Sequence, residues 1–536
     1  MELLFVAIVL ILALFAINLS SKSGVPSLLL FLTLGIISGF LGVEFNNYEV
    51  GESFATFALI VIMFYGGFGT NWTMGKPVVK EATVLASLGV VATALITGWF
   101  VHVFFKFPLL ESMLLGSIVG STDYASVSNI LTSKNLNLKY NSASLLELES
   151  GSNDPTAYTM TMLFLSLLLG EDISIPVLIL KQVVFGLFIG FLFAKIVGKL
   201  LEIINLQKDG LSIVFMAAVA LLTYSFTNVI GGNGYLAVYI FGIIIGNKSF
   251  LGKRDIIFFF DGFTELMSIG LFFLLGLLAD LAKIIEHIPI SFIIMLFMTF
   301  VARPVSVVGL MIPFKLKKNQ LLVISWAGLR GAAAIAFAIM VVNQSNGQNI
   351  LNIDVYHIVF GICFLSSLLQ GSFMAYLSKK SDMIDPKDTV LKTFNFYSDK
   401  SDINFIKTIV DEESDLAGKK VKELNMNFDF IVAKIEREGK TIVPRGEVAF
   451  DIGDVVVLAG EEYFDYSGQE IMEFSIDEGH PWTDRKIVDL RLADNRLILT
   501  IDRNGKFINA EGNTVIKEGD RILLITDENI DFSIRS

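Results

Sequence analysis

Apolar residues dominate the first 380 positions in long runs separated by short polar breaks, and this regularity gives way abruptly to short alternating segments. A helix needs roughly 20 apolar residues to cross the hydrocarbon of a bilayer. Thirteen spans are placed on such runs, near 3–19, 25–43, 53–70, 82–105, 108–132, 142–170, 176–198, 211–230, 234–247, 265–282, 289–311, 319–342 and 355–378. The first is read as a retained helix, because Glu2 and the lack of Lys or Arg before it do not fit a cleaved leader. Phe258 to Glu265, just before the tenth run, reads equally as an amphipathic stretch at the interface or as a loop.

Beyond Lys380 the pattern becomes β-branched strands between turn residues, repeated at an offset of 66 without gaps. Val421 aligns with Ile487, Leu424 with Leu490, Ile431 with Leu497, Ile435 with Ile501, Arg437 with Arg503, Gly439 with Gly505, Gly446 with Gly512, and Gly453-Asp454 with Gly519-Asp520. The expected architecture is an α-helical polytopic membrane protein of thirteen transmembrane helices, followed by two small α/β (α+β) modules. Expected boundaries are 1–380 for the membrane domain, 381–402 for a linker, and 403–466 and 467–536 for the modules.

Charge sharpens the division. Residues 1–380 carry 21 Lys and Arg against 20 Asp and Glu, whereas residues 381–536 carry 20 against 33. An acidic tail repels nucleic acid and anionic lipid surfaces and argues against either as its partner. Basic residues favour cytoplasmic loops. Placing the N-terminus outside puts 16 loop Lys and Arg inside and only Lys106, Lys181 and Lys283 outside, so the tail is expected in the cytoplasm. The composition, 53% hydrophobic with 46 Phe, excludes a soluble globular or disordered chain, and the single Cys363 excludes a disulfide scaffold.

Five charged residues fall deep inside the predicted spans: Asp123, Glu149, Asp154, Arg303 and Arg330. Facing lipid they would together cost on the order of 15 kcal/mol, so they must pair or line a wet cavity. In the fifth span, Gly116 to Ser126 is a run of small and hydroxyl residues that weakens the helix and frees backbone carbonyls, as at a cation site. In the sixth, Glu149 and Asn153 share one helical face and Ser150 and Asp154 the adjacent one, with Pro155 loosening the same turn. This oxygen-rich set suits a hard alkali cation, and the lack of His and Cys argues against a transition metal. In the twelfth, Gly328-Leu329-Arg330-Gly331-Ala332 permits close helix approach. Arg330 is expected to pair with Glu149, leaving Asp154 free to exchange a proton for a cation. Spans five and twelve are seven apart, as inverted repeats with discontinuous crossing helices require.

Ser121-Thr122-Asp123, Glu149 to Pro155, Asn233 to Val238, Ala302-Arg303-Pro304 and Gly328 to Ala332, in this order over about 380 residues, resemble the NhaP/CvrA group of monovalent cation:proton antiporters. The resemblance implies a homodimer in the cell membrane that exchanges a cation for a proton electroneutrally by alternating access. It implies that Asp154 binds cation or proton in turn beside Asn153, that Thr122 contributes a backbone oxygen, and that Asp123 acts through bound water. Ser150 and Glu149 complete the shell, and Arg303 and Arg330 compensate charge. Tyr124 stands where many members have Pro or a small residue. The tail modules resemble the TrkA-C (RCK-C) domain of potassium-conductance regulators in tandem, which favours K⁺ over Na⁺ and implies a regulatory ligand, cyclic di-AMP among the candidates. No resident cofactor is expected. Two other classes compete: an intramembrane aspartyl protease using Asp123 and Asp154, whose Gly-x-Gly-Asp signature is missing, and a channel, which a single buried carboxylate suits poorly.

Overall fold

The computed structural model describes residues 2–385 and 403–526, apart from 24–26, 44, 46, 124–136, 173, 204–209, 249, 251–252, 346–349, 411–413, 415, 424–430, 438–439, 462–469, 477–479, 491, 493–495 and 504–505. Tyr124 to Ser126, Lys134, Lys208, Leu424, Gly439, Gly505 and most of the expected linker therefore lie outside the described residues. The chain divides into two units at Asp399 and Lys400.

The first unit is helical: α1 (Glu2–Ser23), α2 (Ser27–Phe40), α3 (Tyr48–Gly69), α4 (Lys76–Phe105), α5 (Leu109–Ile118), α6 (Ser142–Leu168) and α7 (Ile175–Ile203), then α8 (Leu211–Val229), α9 (Gly234–Gly246), α10 (Lys253–Leu277), α11 (Leu281–Phe314), α12 (Lys318–Trp326), α13 (Ala332–Ser345) and α14 (Val355–Lys380). Among the described residues seven are long and apolar enough to cross a membrane, and five shorter apolar helices accompany them. Helix starts are fixed by side chains that take up otherwise orphaned N–H groups. Asn47 accepts from Val50, Asn233 from Leu236, Asp280 from Ala282 and Asp354 from His357. Lys379 and Lys380 close α14, where cations complement the helix dipole.

The helices pack as two bundles. One comprises α1–α3 with α7–α10, and the other α4–α6 with α11–α14. Within the first, α3 and α9 meet backbone to backbone, since a Cβ on Gly67 would stand within 3.0 Å of the Ile243 nitrogen and in collision with the Tyr239 carbonyl. The bundles meet where α3 packs on α13.

The start of the tenth span and the unbroken course of the sixth differ from the sequence expectation, whereas the fifth and twelfth spans are interrupted as it anticipated. The tenth span starts at Lys253, so Phe258 to Glu265 is neither loop nor separate interfacial segment but the first turns of α10, with Phe260 buried. The fifth span stops being helical at Ile118, and the twelfth is divided by residues 327–331 into α12 and α13. α6, in contrast, runs through Pro155 unbroken.

The second unit holds two four-stranded antiparallel sheets of the same order. β1 (Ile403–Ile409), β2 (Ile431–Arg437), β3 (Lys440–Ile442) and β4 (Val455–Glu461) form the order β1-β4-β2-β3. β5 (Glu470–Ser475), β6 (Arg496–Arg503), β7 (Lys506–Asn509) and β8 (Arg521–Thr526) form β5-β8-β6-β7. Among the described residues the only helical element in each is a 3₁₀ turn, Val421–Glu423 or Ile487–Leu490, and all strand pairings are antiparallel. Each sheet is pinned by the same pair, a partly exposed arginine on a buried aspartate. Asp454 receives Arg437 Nε at 2.7 Å and Nη2 at 2.8 Å, and Asp520 receives Arg503 Nε and Nη2, both at 2.7 Å. Hydrogen bonds from Arg437 hold the Asp454 carboxyl below the ordinary carboxylate range; burial raises that of Asp520, but Arg503 and the Lys517 N–H outweigh it.

Candidate functional site

The interrupted helices converge and satisfy each other's freed backbone. The Asp123 N–H donates to the Leu329 carbonyl at 2.8 Å. Arg330 Nη1 donates to the carbonyls of Gly120 at 2.7 Å and Ser121 at 2.5 Å, placing a cation at the C-terminal, partially negative end of α5. Ser366 and Ser367 of α14 take up both backbone groups of Arg330: its N–H donates to Ser366 Oγ, and Ser367 Oγ donates to its carbonyl. A break in a membrane helix is tolerable only when such partners replace the lost ladder. Gly331 allows the approach, because a Cβ there would fall within 2.5 Å of three Asp123 side-chain atoms.

This corrects the expected pairing. Arg330 is committed to the α5 carbonyls, and it is Arg303 that meets Glu149, with Nη2 2.5 Å from Oε1. Both partners are almost wholly buried, at 2% and 0% exposure. Arg303 follows a π-helical turn at Met298–Ala302, which rotates the subsequent residues of α11 relative to a regular helix. The pairing is a tertiary fact that local spacing did not reveal.

One turn of α6 presents two faces. Glu149 and Asn153, both at 0% exposure, point into protein. Asn153 Nδ2 donates to Thr122 Oγ1 at 2.5 Å and, more distantly, to the Thr122 carbonyl at 3.4 Å. Thr122 Oγ1 lies 2.7 Å from Ser150 Oγ, so the hydroxyls and amide form one chain. On the other face Ser150, Gly151 and Asp154 line a cavity of about 260 Å³ shared with Ser121, Thr122, Asp123 and Gly331. Asp154 has the Ser121 hydroxyl beside it, yet its Oδ1 is buried without a hydrogen-bond partner, and among the described residues no basic side chain pairs with it. Asn153 Oδ1 is likewise buried and unsatisfied. Hydroxyl, amide and carboxylate oxygens with two unmet acceptors form the donor set a hard alkali cation takes.

Every described candidate, Thr122, Asp123, Glu149, Ser150, Asn153, Asp154, Arg303 and Arg330, thus falls in one neighbourhood. Asp154, Ser150, Thr122 and Asp123 reach the cavity; Glu149, Asn153 and the arginines sit behind it. Sequence reasoning missed the opposite wall. There Tyr65 donates to Asp261 Oδ1 at 2.7 Å, and Thr264, Glu265 and Tyr239 also face the cavity, as does Glu147 on α6 itself. Asp261 and Glu265 at a spacing of four on an apolar helix were the available signal. Asn233, quoted only as part of a motif, donates through Nδ2 to the Pro155 carbonyl at 2.7 Å and to Thr159 Oγ1 at 3.0 Å.

Residues 8–380 match the sodium/hydrogen exchanger transmembrane domain, and residues 408–462 and 471–530 each match the TrkA-C domain. The chain belongs to the sodium/hydrogen exchanger family. It is 30% identical over 460 residues to the K(+)/H(+) antiporter NhaP2 of Shewanella baltica, covering 83% of this chain and 78% of the relative. It is 28% identical to the K(+)/H(+) antiporter NhaP of Alkalimonas amylolytica, covering 85% and 81%. It is 27% identical to the probable Na(+)/H(+) antiporter 2 of Methanocaldococcus jannaschii, covering 61% and 81%. In fold it is similar to the sodium proton antiporter MjNhaP1 of Methanocaldococcus jannaschii, with a TM-score of 0.65 at 24% identity over 71% of this chain and 99% of that one. The protein is an NhaP-type cation/proton antiporter with a TrkA-C tail, a transporter and not an enzyme, which removes the protease reading.

Proposed function

We propose that the chain exchanges K⁺ for H⁺ electroneutrally across the cell membrane, with Asp154 as the group that holds either ion. Carrying this reading is one observation: Asp154 is a buried carboxylate that borders a cavity and, among the described residues, pairs with no cation. A lone buried charge is costly, so the site is stable when a proton or an alkali ion neutralises it. The other site charges cancel, Arg303 and Arg330 against Glu149 and Asp123. Loading Asp154 with either ion makes the set neutral, and one ion excludes the other. Asn153 in place of a second carboxylate keeps the count at one. Thr122, Ser150 and Asn153 position oxygens around the ion; Asp123 supports them through water; Glu149 is held by Arg303.

K⁺ is favoured over Na⁺ by the names of two relatives and by the TrkA-C tail. We place thirteen crossings in the membrane, built as inverted repeats, with the N-terminus outside and the tail in the cytoplasm. The cavity is bordered on α6 by Glu147 and on α10 by Asp261 and Glu265, in the halves of those helices that this orientation places toward the cytoplasm, so the state is inward-facing. Two copies form a dimer through the bundle containing α1–α3, while the tail regulates exchange through a ligand such as cyclic di-AMP. In vesicles reconstituted with the full chain, K⁺ addition is expected to release protons, and Asp154→Asn to abolish the release. Retained cation-driven ΔpH in that variant would overturn the assignment.

A further inference from the structure

Beyond Asp154 the path toward the opposite membrane face is closed by two successive layers that join the bundles. One turn of α6 past Asp154, about 6 Å on, Tyr158 meets Tyr235 of α9 edge to face at 5.1 Å between ring centroids. Phe337 of α13 completes the layer, 5.7 Å from Tyr158 and 6.1 Å from Tyr235. All three are at least nine-tenths buried, and they come from both bundles. In electrostatic reach of Tyr158, and of Tyr224 of α8, whose ring lies 4.9 Å from that of Tyr235, is Glu52 of α3. Its carboxylate spans to the other bundle: Asn343 Nδ2 donates to Oε2 at 2.6 Å and Gln344 Nε2 to Oε1 at 3.3 Å, both near the end of α13. Further toward the same face, Tyr356 of α14 donates to the Leu275 carbonyl of α10 at 2.5 Å, and the Asp280 N–H donates to His357 Nε2 at 3.1 Å.

We infer that Glu52, held by Asn343 and Gln344 over the Tyr158–Tyr235–Phe337 layer, is the latch of the outer gate. This inference rests on the proposed antiport. The bundles must part here for the cavity to open outward, and Glu52 is the one carboxylate among these contacts that joins them through side chains on both sides. Hydrogen bonds to a charged group are stronger than neutral ones, so removing the carboxylate shifts the population toward the outward-open form.

The test places one cysteine in the full chain, Ala333→Cys on Cys363→Ser, since Ala333 lines the cavity. A membrane-impermeant maleimide is applied from each face of oriented vesicles. The parent is expected to react from the cytoplasmic face and slowly from outside. Glu52→Ala raises the outside rate about tenfold, as does Asn343→Asp, which sets a second carboxylate against Glu52. Glu52→Gln, which still accepts from Asn343 but carries no charge, gives an outside rate between those of the parent and Glu52→Ala, a graded response that misfolding would not produce. Equal labelling of the parent from both faces, or an outside rate unmoved by both Glu52→Ala and Asn343→Asp, overturns the latch. The same labelling in an Asp154→Asn background separates the two readings, because gate geometry is then read without any transport.

Discussion

Substituting Gly331 by alanine perturbs the site at one defined point. The new Cβ would stand 2.4 Å from Asp123 Oδ2 and 2.5 Å from its Cβ and Cγ. Ordinary carbon contacts are about 3.5–4.0 Å, so the Asp123 side chain must retreat by roughly 1 Å. It has little room to do so independently, because its own N–H is bound to the Leu329 carbonyl two residues before Gly331. The displacement therefore pulls on the contact between the two interrupted helices and moves Thr122, the adjoining residue in the chain that links Asn153 to Ser150. Misplacement of a reacting group by about 1 Å costs on the order of 10²-fold in rate, and overpacking about 1–3 kcal/mol in stability. We expect Gly331→Ala to fold, with cation-driven proton release in vesicles lowered by about two orders of magnitude. Gly309→Ala is the control, since no heavy atom lies within 4 Å of its added Cβ. If Gly331→Ala exchanges as fast as Gly309→Ala, the close approach is not what the site depends on.

Other expectations follow from single contacts. Arg303→Met strands Glu149 as a buried uncompensated charge and should lower thermal stability by about 3–5 kcal/mol, with Glu149→Gln in the same chain restoring much of it; Arg330→Met, which leaves that pair intact, should not be rescued by Glu149→Gln. Thr122→Val removes the hydroxyl between Asn153 and Ser150 and is expected to raise the cation KM more than it lowers the maximal rate, read from initial rates in vesicles. In the tail, the Asp454 carboxyl is held down by Arg437, so its stabilisation is complete above the ordinary carboxylate value and is lost as pH falls through the lower folded value. Asp454→Asn should therefore reduce hydrogen-exchange protection of β4 at neutral pH, and the gap to the parent, after correction for intrinsic exchange rates, should close in strong acid.

The sequence carried the site further than it carried the packing. That Asp154, Ser150 and Thr122 would gather at one cavity was legible because polar oxygens in an apolar run have few tolerable explanations. The interruption at 327–331 was foreshadowed by Gly328 and Gly331, whose small size permits close approach. The partner of Glu149 was not legible. Two arginines and three carboxylates allow several pairings, and the choice depends on how α11, rotated by its π-helical turn, faces α6. The start of α10 was missed for a related reason. Asp255, Asp261 and Glu265 look like the polar flank of a span, whereas Asp261 and Glu265 face a cavity and remain helical. In the tail, the repeat at 66 residues aligned Arg437 with Arg503 and Asp454 with Asp520, but only the fold shows that each arginine pairs with its own aspartate across the sheet.

The central claim is that one carboxylate holds a proton or an alkali cation and never both. The direct measurement is the apparent cation KM of the reconstituted full chain as a function of pH, with equal pH on both sides before each pulse. Competition at Asp154 predicts that KM rises toward tenfold per pH unit on the acid side while the rate at saturating cation stays level. A KM indifferent to pH across the active range, or a saturating rate that falls with acid while KM holds, would contradict it.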